Sequence, residues 1–263
     1  MNIAVCIKQV PDTEARLRVG KDGRWLDEED LRYVINESDE HAIEEALQIA
    51  EKTGGEVIVF SLGPDRVKEA LRKALALGAA RAVHLSDDAF QGGDAAATAR
   101  ALAAAIQKED GIGLVLTGSQ SDDVGYGSTA SILAGHLGWP QAWLVMGVEM
   151  EDGSAKVTRE MESGMNEVFR LQLPAVIEVQ AGINHPRYAS LKGIMKAKRK
   201  PLSNPTPADL DVDPSTLGAA GSRIEIVDIG FPDTGAGAEI LEGDAAVVAK
   251  SLVEKLQNDA RVL

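Results

Sequence analysis

The first half of the chain repeats one pattern, a short apolar run followed by a helix-length amphipathic stretch, and that repetition leaves few folds open to it. The runs Ile3–Val10, Val57–Leu62, Ala82–Leu85 and Ile112–Thr117 are continuously apolar rather than alternating. A strand buried on both faces of a parallel sheet has that character. Between them lie helix candidates at Glu37–Lys52, Pro64–Leu77 and Asp94–Lys108. In the first of these Ala42, Ile43, Ala46 and Leu47 share one stripe with acids opposite, and the second stops at Gly78, a residue suited to ending a helix. The β-α-β-α order predicts an α/β fold: a mostly parallel sheet with flanking helices and right-handed crossovers.

After Trp139-Pro140 the pattern changes. Trp143–Met150, Lys156–Met161, Asn166–Leu171 and Ala175–Val179 follow one another with turn residues but no helices between them, which predicts an antiparallel extension of the sheet. From Pro201 the chain is rich in Pro, Ser, Gly and Asp and regains a helical stripe only over Glu242–Leu256. Residues 1–200 therefore read as a nucleotide-binding α/β domain, and 201–263 as an extended arm and helix that bury little alone and wrap a partner subunit.

A chain of 263 residues can bury a core without staples. Its one cysteine, Cys6, lies inside the first apolar run and can form no internal disulfide, as expected of a reducing compartment. No apolar stretch is long enough to span a bilayer, and no secretory leader pattern opens the sequence, so a cytoplasmic protein without membrane insertion is expected. The 27 Lys and Arg against 41 Asp and Glu leave a net charge of −14, which repels nucleic acid. Against that background Arg187, Lys192, Lys196, Lys198, Arg199 and Lys200 form a basic cluster without an acid among them.

Common catalytic templates are missing: there is no nucleophile elbow, no Walker loop, no CxxC and no HExxH, and the four histidines have no metal-ligand spacing. His84, inside an apolar run, reads as a core side chain rather than a general base. One loop stands out. After the run ending at Thr117 come Gly118, Ser119, Gln120, Ser121, Asp122, Asp123, Val124, Gly125, Tyr126, Gly127, Ser128 and Thr129, opening into a helix through Ile132-Leu133-Ala134. Glycines let a backbone approach a ligand with its N–H groups turned inward, hydroxyls add donors, and a helix N-terminus adds partial positive charge. The loop reads as a phosphate cradle without a lysine of its own; an ordinary helix-capping turn uses the same residue types. Cys6 to Lys8 and Asn36, Glu37, Ser38 and Asp39 would face the same sheet edge, where nucleotides bind outside the carboxyl ends of strands.

Val157-Thr158-Arg159-Glu160, Leu173-Pro174-Ala175-Val176 and the run Asn184 to Lys198 closely resemble the β-subunit signature of electron transfer flavoproteins. The opening Val5-Cys6-Ile7-Lys8-Gln9-Val10-Pro11-Asp12, the Asn36 turn, Gly63-Pro64 and Trp139-Pro140-Gln141 extend the resemblance over nearly the whole chain. It implies an adenine nucleotide α-hydrolase-like fold and an electron carrier without catalytic residues or metal. In the family's common form the subunit holds AMP, which would contact Cys6, Asn36 to Asp39, Leu62 and Gly118 to Thr129 here. The redox FAD belongs mainly to a mobile domain of the α-subunit, which this chain would support as one half of a heterodimer.

The resemblance further implies that Glu160 contacts the mobile flavin domain. It makes Arg187, Tyr188, Leu191, Ile194, Met195 and Lys196 a recognition loop for flavin-dependent dehydrogenases such as acyl-CoA dehydrogenases. There Leu191 is the apolar anchor within a basic rim; the competing reading is a helix with Leu191 and Ile194 in the subunit's own core. A second, electron-bifurcating branch of the family carries a second FAD in place of AMP and uses NADH. Thr129 resembles the AMP branch, whereas Tyr126-Gly127 matches neither pattern. Outside the family, a free-standing adenine-nucleotide-binding regulatory domain remains the alternative; an adenylating hydrolase lacks its pyrophosphate loop.

Overall fold

In the computed structural model, which describes residues 1–233, 235 and 237–263, the chain runs β1 (Asn2–Cys6), β2 (Gln9–Pro11), β3 (Tyr33–Ile35), α1 (Glu37–Thr53), β4 (Val57–Leu62), α2 (Val67–Leu77), β5 (Arg81–Leu85) and α3 (Ala95–Gln107). It continues through β6 (Ile112–Gly118), α4 (Thr129–Leu137), β7 (Gln141–Glu151), β8 (Ser154–Glu160), β9 (Asn166–Gln172) and β10 (Ala175–Val179). Last come α5 (Leu191–Ala197), β11 (Leu202–Ser203), the single turn α6 (Gly218–Gly221) and α7 (Ala245–Asn258). Among the described residues nine strands form one sheet in the order β11-β5-β4-β1-β6-β10-β7-β8-β9. It is parallel from β11 to β7 and antiparallel from β7 to β9.

The two faces of the sheet carry separate cores, and side chains two apart on a strand go to the same one. Ile3, Val5, Val57, Val59, Leu114 and Leu116 pack under α1 and α2. Ala4, Ile58, Phe60 and Val115 face α3 and α4. The order reverses beside β1: β4 and β5 extend the sheet one way, β6 and β10 the other. Such a switch point opens a crevice between the carboxyl ends of the two central strands.

Three expectations change. Ile3–Val10 is two strands rather than one, because the chain leaves the sheet after Cys6 and pairs Gln9–Pro11 antiparallel with β3, a strand the periodicity did not reveal. Ala175–Val179 does not extend the antiparallel hairpins; β10 inserts parallel between β6 and β7. Every residue of β10 is buried, as an interior strand covered on both faces requires. The segment from Pro201 first belongs to the body of the domain: β11 pairs with β5, and Leu210 and Leu217 are buried beneath α3. The described residues between Arg223 and Gly243 are mostly exposed and without regular structure, and α7 follows with none of its residues buried. No helix among the described residues is long and apolar enough to cross a membrane.

Candidate functional site

The carboxyl end of the parallel strands is built from α1 upward. Asn36 precedes the helix, but its side chain does not cap it. Instead Nδ2 donates to the Gln120 carbonyl at 2.8 Å, and Oδ1 accepts the Asp122 N–H at 2.9 Å. Ser38 Oγ donates to the same Gln120 carbonyl at 3.1 Å. One turn of α1 thus shapes the loop after β6. Asp39 spans the switch point: its carboxylate takes the Lys8 N–H at 2.7 Å and the Gly118 N–H at 2.9 Å, joining the ends of β1 and β6. Burial pushes the Asp39 carboxyl up to about 7, against the pull of those two N–H donors. The Cys6 thiol is pushed up as well, by burial and then by the charge of Asp39, so it stays a neutral wall.

The loop lacks a lysine in sequence, yet one reaches it in space. Lys8 Nζ pairs with Asp123 at 2.7 Å and lies 3.4 Å from Ser121 Oγ. Burial opposes ionisation of Asp123, but the charge of Lys8 and hydrogen bonds from Lys8 and Ser121 hold its carboxyl below the ordinary range. Gly125 and Gly127 have φ of +62° and +55°, a left-handed backbone suited to glycine, which folds the loop back toward α4. Among the described residues the side chains of Ser119, Ser128 and Thr129 make no hydrogen bond. The first N–H groups of α4 have no carbonyl partner, as at any helix start. Hydroxyls, free N–H groups and one ammonium therefore converge on one spot, an arrangement that suits an anionic group.

These residues line a cleft of about 1150 Å³. Of the residues singled out in sequence, Cys6, Asn36, Asp39, Leu62, Gly118, Ser119, Gln120, Ser121, Asp123, Val124, Tyr126, Gly127, Ser128 and Thr129 face it. Glu37, Ser38, Asp122 and Gly125 do not; they brace the loop from behind or turn outward. Sequence reasoning missed the opposite wall, where Gly92, Gly93 and Asp94 open α3 and Arg24, Tyr33 and Arg66 close the side. The Gly-Gly-Asp start of α3, following a strand, was the available signal. The stretch Ser222 to Ile226 forms the remaining rim, tied down where the Arg223 N–H donates to Asp94 at 2.8 Å. Arg66 stacks on the Tyr33 ring with its guanidinium carbon 3.8 Å from the centroid.

A second surface lies on the other helical layer. Ser190 caps α5 by accepting the Gly193 N–H at 3.0 Å. The helix then leaves Leu191 83%, Met195 72% and Ile194 45% exposed, with Tyr188 beside them 99% exposed. Only Ala197 of this helix is buried, so the reading of Leu191 and Ile194 as core does not hold. The basic cluster divides. Arg187 is engaged inside the subunit with Glu44 and Glu51, and Lys200 Nζ donates to the Leu75 carbonyl at 2.9 Å, at the end of α2. Lys192, Lys196, Lys198 and Arg199 form no ion pair among the described residues and rim the apolar patch.

Glu160 ends β8 exposed, opposite Asn166, without a side-chain hydrogen bond or ion pair among the described residues. His84 is fully buried, with Nε2 2.9 Å from the Gly63 carbonyl and Nδ1 unpartnered, and burial lowers its pKa. No group of three or more potential metal ligands occurs among the described residues.

The family model for the electron transfer flavoprotein domain matches residues 24–210. The chain is 40% identical over 258 residues to the electron transfer flavoprotein subunit beta of Methylophilus methylotrophus, covering 97% of each. It is 42% identical over 253 residues to the subunit beta of Mycobacterium leprae, covering 92% of this chain and 94% of that one. With the caffeyl-CoA reductase-Etf complex subunit CarD of Acetobacterium woodii it shares 38% identity over 259 residues and 98% of both chains. Identity at that level over nearly the full length, with the signature residues folded into one α/β domain, means that the chain belongs to the electron transfer flavoprotein β-subunit family.

Proposed function

We propose that this chain is the β-subunit of a heterodimeric electron carrier. It holds AMP in the cleft as a structural cofactor and accepts electrons from flavin-dependent dehydrogenases, acyl-CoA dehydrogenases among them, for delivery toward the respiratory chain. The redox FAD, which supplies the electron chemistry when bound, sits mainly in the α-subunit. The observation that carries the reading is the convergence of the Gly118–Thr129 loop, the Lys8 ammonium and the start of α4 on the crevice at the switch point. A phosphate there meets N–H groups and hydroxyls, while Cys6 and Leu62 offer apolar surface suited to a base. The cleft carboxylates are engaged already, Asp39 with two backbone N–H groups and Asp123 with Lys8, which supports a holding rather than a catalytic role.

Leu191, Tyr188, Ile194 and Met195, within the rim of Lys192, Lys196, Lys198 and Arg199, suit docking of a dehydrogenase with an acidic surface. Residues 223–263, with Val227 and Phe231 exposed in the arm and Val247 in α7, suit the α-subunit. The exposure of Glu160 at a strand end supports a contact with an arginine of the flavin domain. Denaturing the purified heterodimer should release one AMP and one FAD. A second reading rests on the relative named as part of a caffeyl-CoA reductase-Etf complex and on the reach of the cleft toward Arg24 and Tyr33, at the upper end of ligand-pocket volumes. Two FAD and no AMP per heterodimer would establish that reading instead.

A further inference from the structure

The connection from β10 to α5 contains the signature residues Asn184, Arg187 and Tyr188, yet it has no regular structure from Gln180 to Ser190. A helix of seven residues such as α5 holds no fixed orientation by itself. Its body rests on α2, where Gly193 lies against the Ala76 carbonyl and Arg72 Nη1 donates to the Ala197 carbonyl at 2.6 Å, and the segment that leads into it is held by α1.

Arg187 forks onto Glu44, with Nε 2.8 Å from Oε2 and Nη2 3.1 Å from Oε1, and the Arg187 N–H donates to the same carboxylate at 3.2 Å. Its remaining edge meets Glu51, Nη1 to Oε1, at 2.6 Å. Gln48 steadies Glu44 from one turn further along α1 at 2.9 Å. Just ahead, Asn184 Nδ2 donates to Glu45 at 3.0 Å and to the His41 carbonyl at 3.1 Å, while His41 Nδ1 lies 3.1 Å from Asn184 Oδ1. Glu44 is buried although charged, and burial works against its ionisation; the Arg187 fork and Gln48 still hold its carboxyl below the ordinary range. Buried carboxylates on a helix are unfavourable unless fully paired, so four polar positions on one face of α1 mark a built seat rather than a solvated surface. None of these seat residues lines the cleft.

We propose that Glu44 is a positioning residue for partner docking: through the bidentate pair with Arg187 it seats the segment that presents Leu191, and thereby sets the docking competence of α5. This rests on the docking reading given above. Arg187, exposed in a basic cluster by sequence, then acts inside the subunit rather than on the partner.

The test uses the intact heterodimer with a purified acyl-CoA dehydrogenase as electron donor and three variants. Leu191→Ala asks whether α5 is the docking element at all. Glu44→Gln keeps the shape of the seat and removes its charge; Arg187→Lys keeps the cation and removes the fork. If Glu44→Gln leaves about a tenth of the molecules seated, KM for the dehydrogenase rises about tenfold while kcat and flavin content stay at wild-type values. Arg187→Lys raises KM likewise, because a direct charge contact with the partner would survive that change whereas the fork does not. Hydrogen exchange should quicken over residues 183–197 and stay unchanged in the 118–129 loop. A raised KM for Leu191→Ala with wild-type KM for both other variants overturns the seat and leaves docking intact. An unchanged KM for Leu191→Ala removes the docking reading, and the role of Glu44 with it. Should Glu44→Gln fail to fold, Arg187→Lys carries the decision.

Discussion

Gly118 gives its backbone N–H to Oδ1 of Asp39 at 2.9 Å, and it approaches so closely that a Cβ on Gly118 would run into that oxygen and into Ser38 Oγ. The end of β6 and the first turn of α1 are thereby locked at van der Waals distance across the switch point. Glycine is required here by proximity, since its backbone is not in the left-handed region.

Gly118→Ala should therefore push β6 and α1 apart at the floor of the cleft. Overpacking of this kind costs about 1–3 kcal/mol. The expected outcome is a lower unfolding midpoint together with loss of extractable nucleotide from the heterodimer. A variant with wild-type stability and full nucleotide content would show that the Asp39 contact does not shape the site.

A buried acid on β10 gives a pH signature. Glu178 is buried and lies level with Thr117 of β6; among the described residues it forms no ion pair, and the backbone N–H of Leu144, a residue held at a φ of +52° where β7 bulges, is the one group that favours its charged form. Desolvation pushes its carboxyl up from 4.5 to about 7. A carboxyl raised on folding contributes stability that is fully present below about pH 4.5 and is lost as pH rises through about 7. Glu178→Gln should thus gain on wild type by up to about 3 kcal/mol between the acid and alkaline ends of that window. Asp39 acts in the same direction and His84 in the opposite one, and both cancel in the comparison of variant with wild type. Urea midpoints of the two proteins across the window provide the measurement; parallel curves would mean that Glu178 ionises normally.

The alternation of β1, α1, β4, α2, β5, α3 and β6 was legible because each buried strand is a continuous apolar run and each helix carries a single stripe. The place of β10 was not. Ala175–Val179 follows three hairpin strands, and only its complete burial, a property of tertiary neighbours, puts it between β6 and β7. In the cleft, the 118–129 loop announced itself through glycine and hydroxyl density, and the end of the first run put Lys8 at the same edge, whereas the pairing of Lys8 with Asp123 and the arrival of Arg66 from another element have no local signature. The same limit hid the pairing of Arg187. Six cations without an acid look like a solvated patch until α1 brings Glu44 and Glu51 against one of them.

The last helix offers the cleanest separation between subunit and assembly. Asp244 caps α7 by accepting the N–H groups of Ala246 and Val247 at 3.1 and 3.0 Å. The pairs Lys250–Glu254 and Lys255–Asp259 add a few tenths of a kcal/mol at most. Against that, a helix of 14 residues with no buried side chain is marginal in water. Val247, Leu252 and Val253 stay exposed, and burying apolar side chains of that size against a partner is worth about 1.5–3 kcal/mol each. Amides of 245–258 should therefore exchange rapidly in the isolated subunit and slow by about 100-fold or more in the heterodimer, the protection expected from roughly 3 kcal/mol of partner contact. Leu252→Asp should abolish the difference while leaving exchange in β1 and β6 unaltered. Equal protection of α7 with and without the α-subunit, in either the fast or the slow limit, would mean that the helix is not an assembly element.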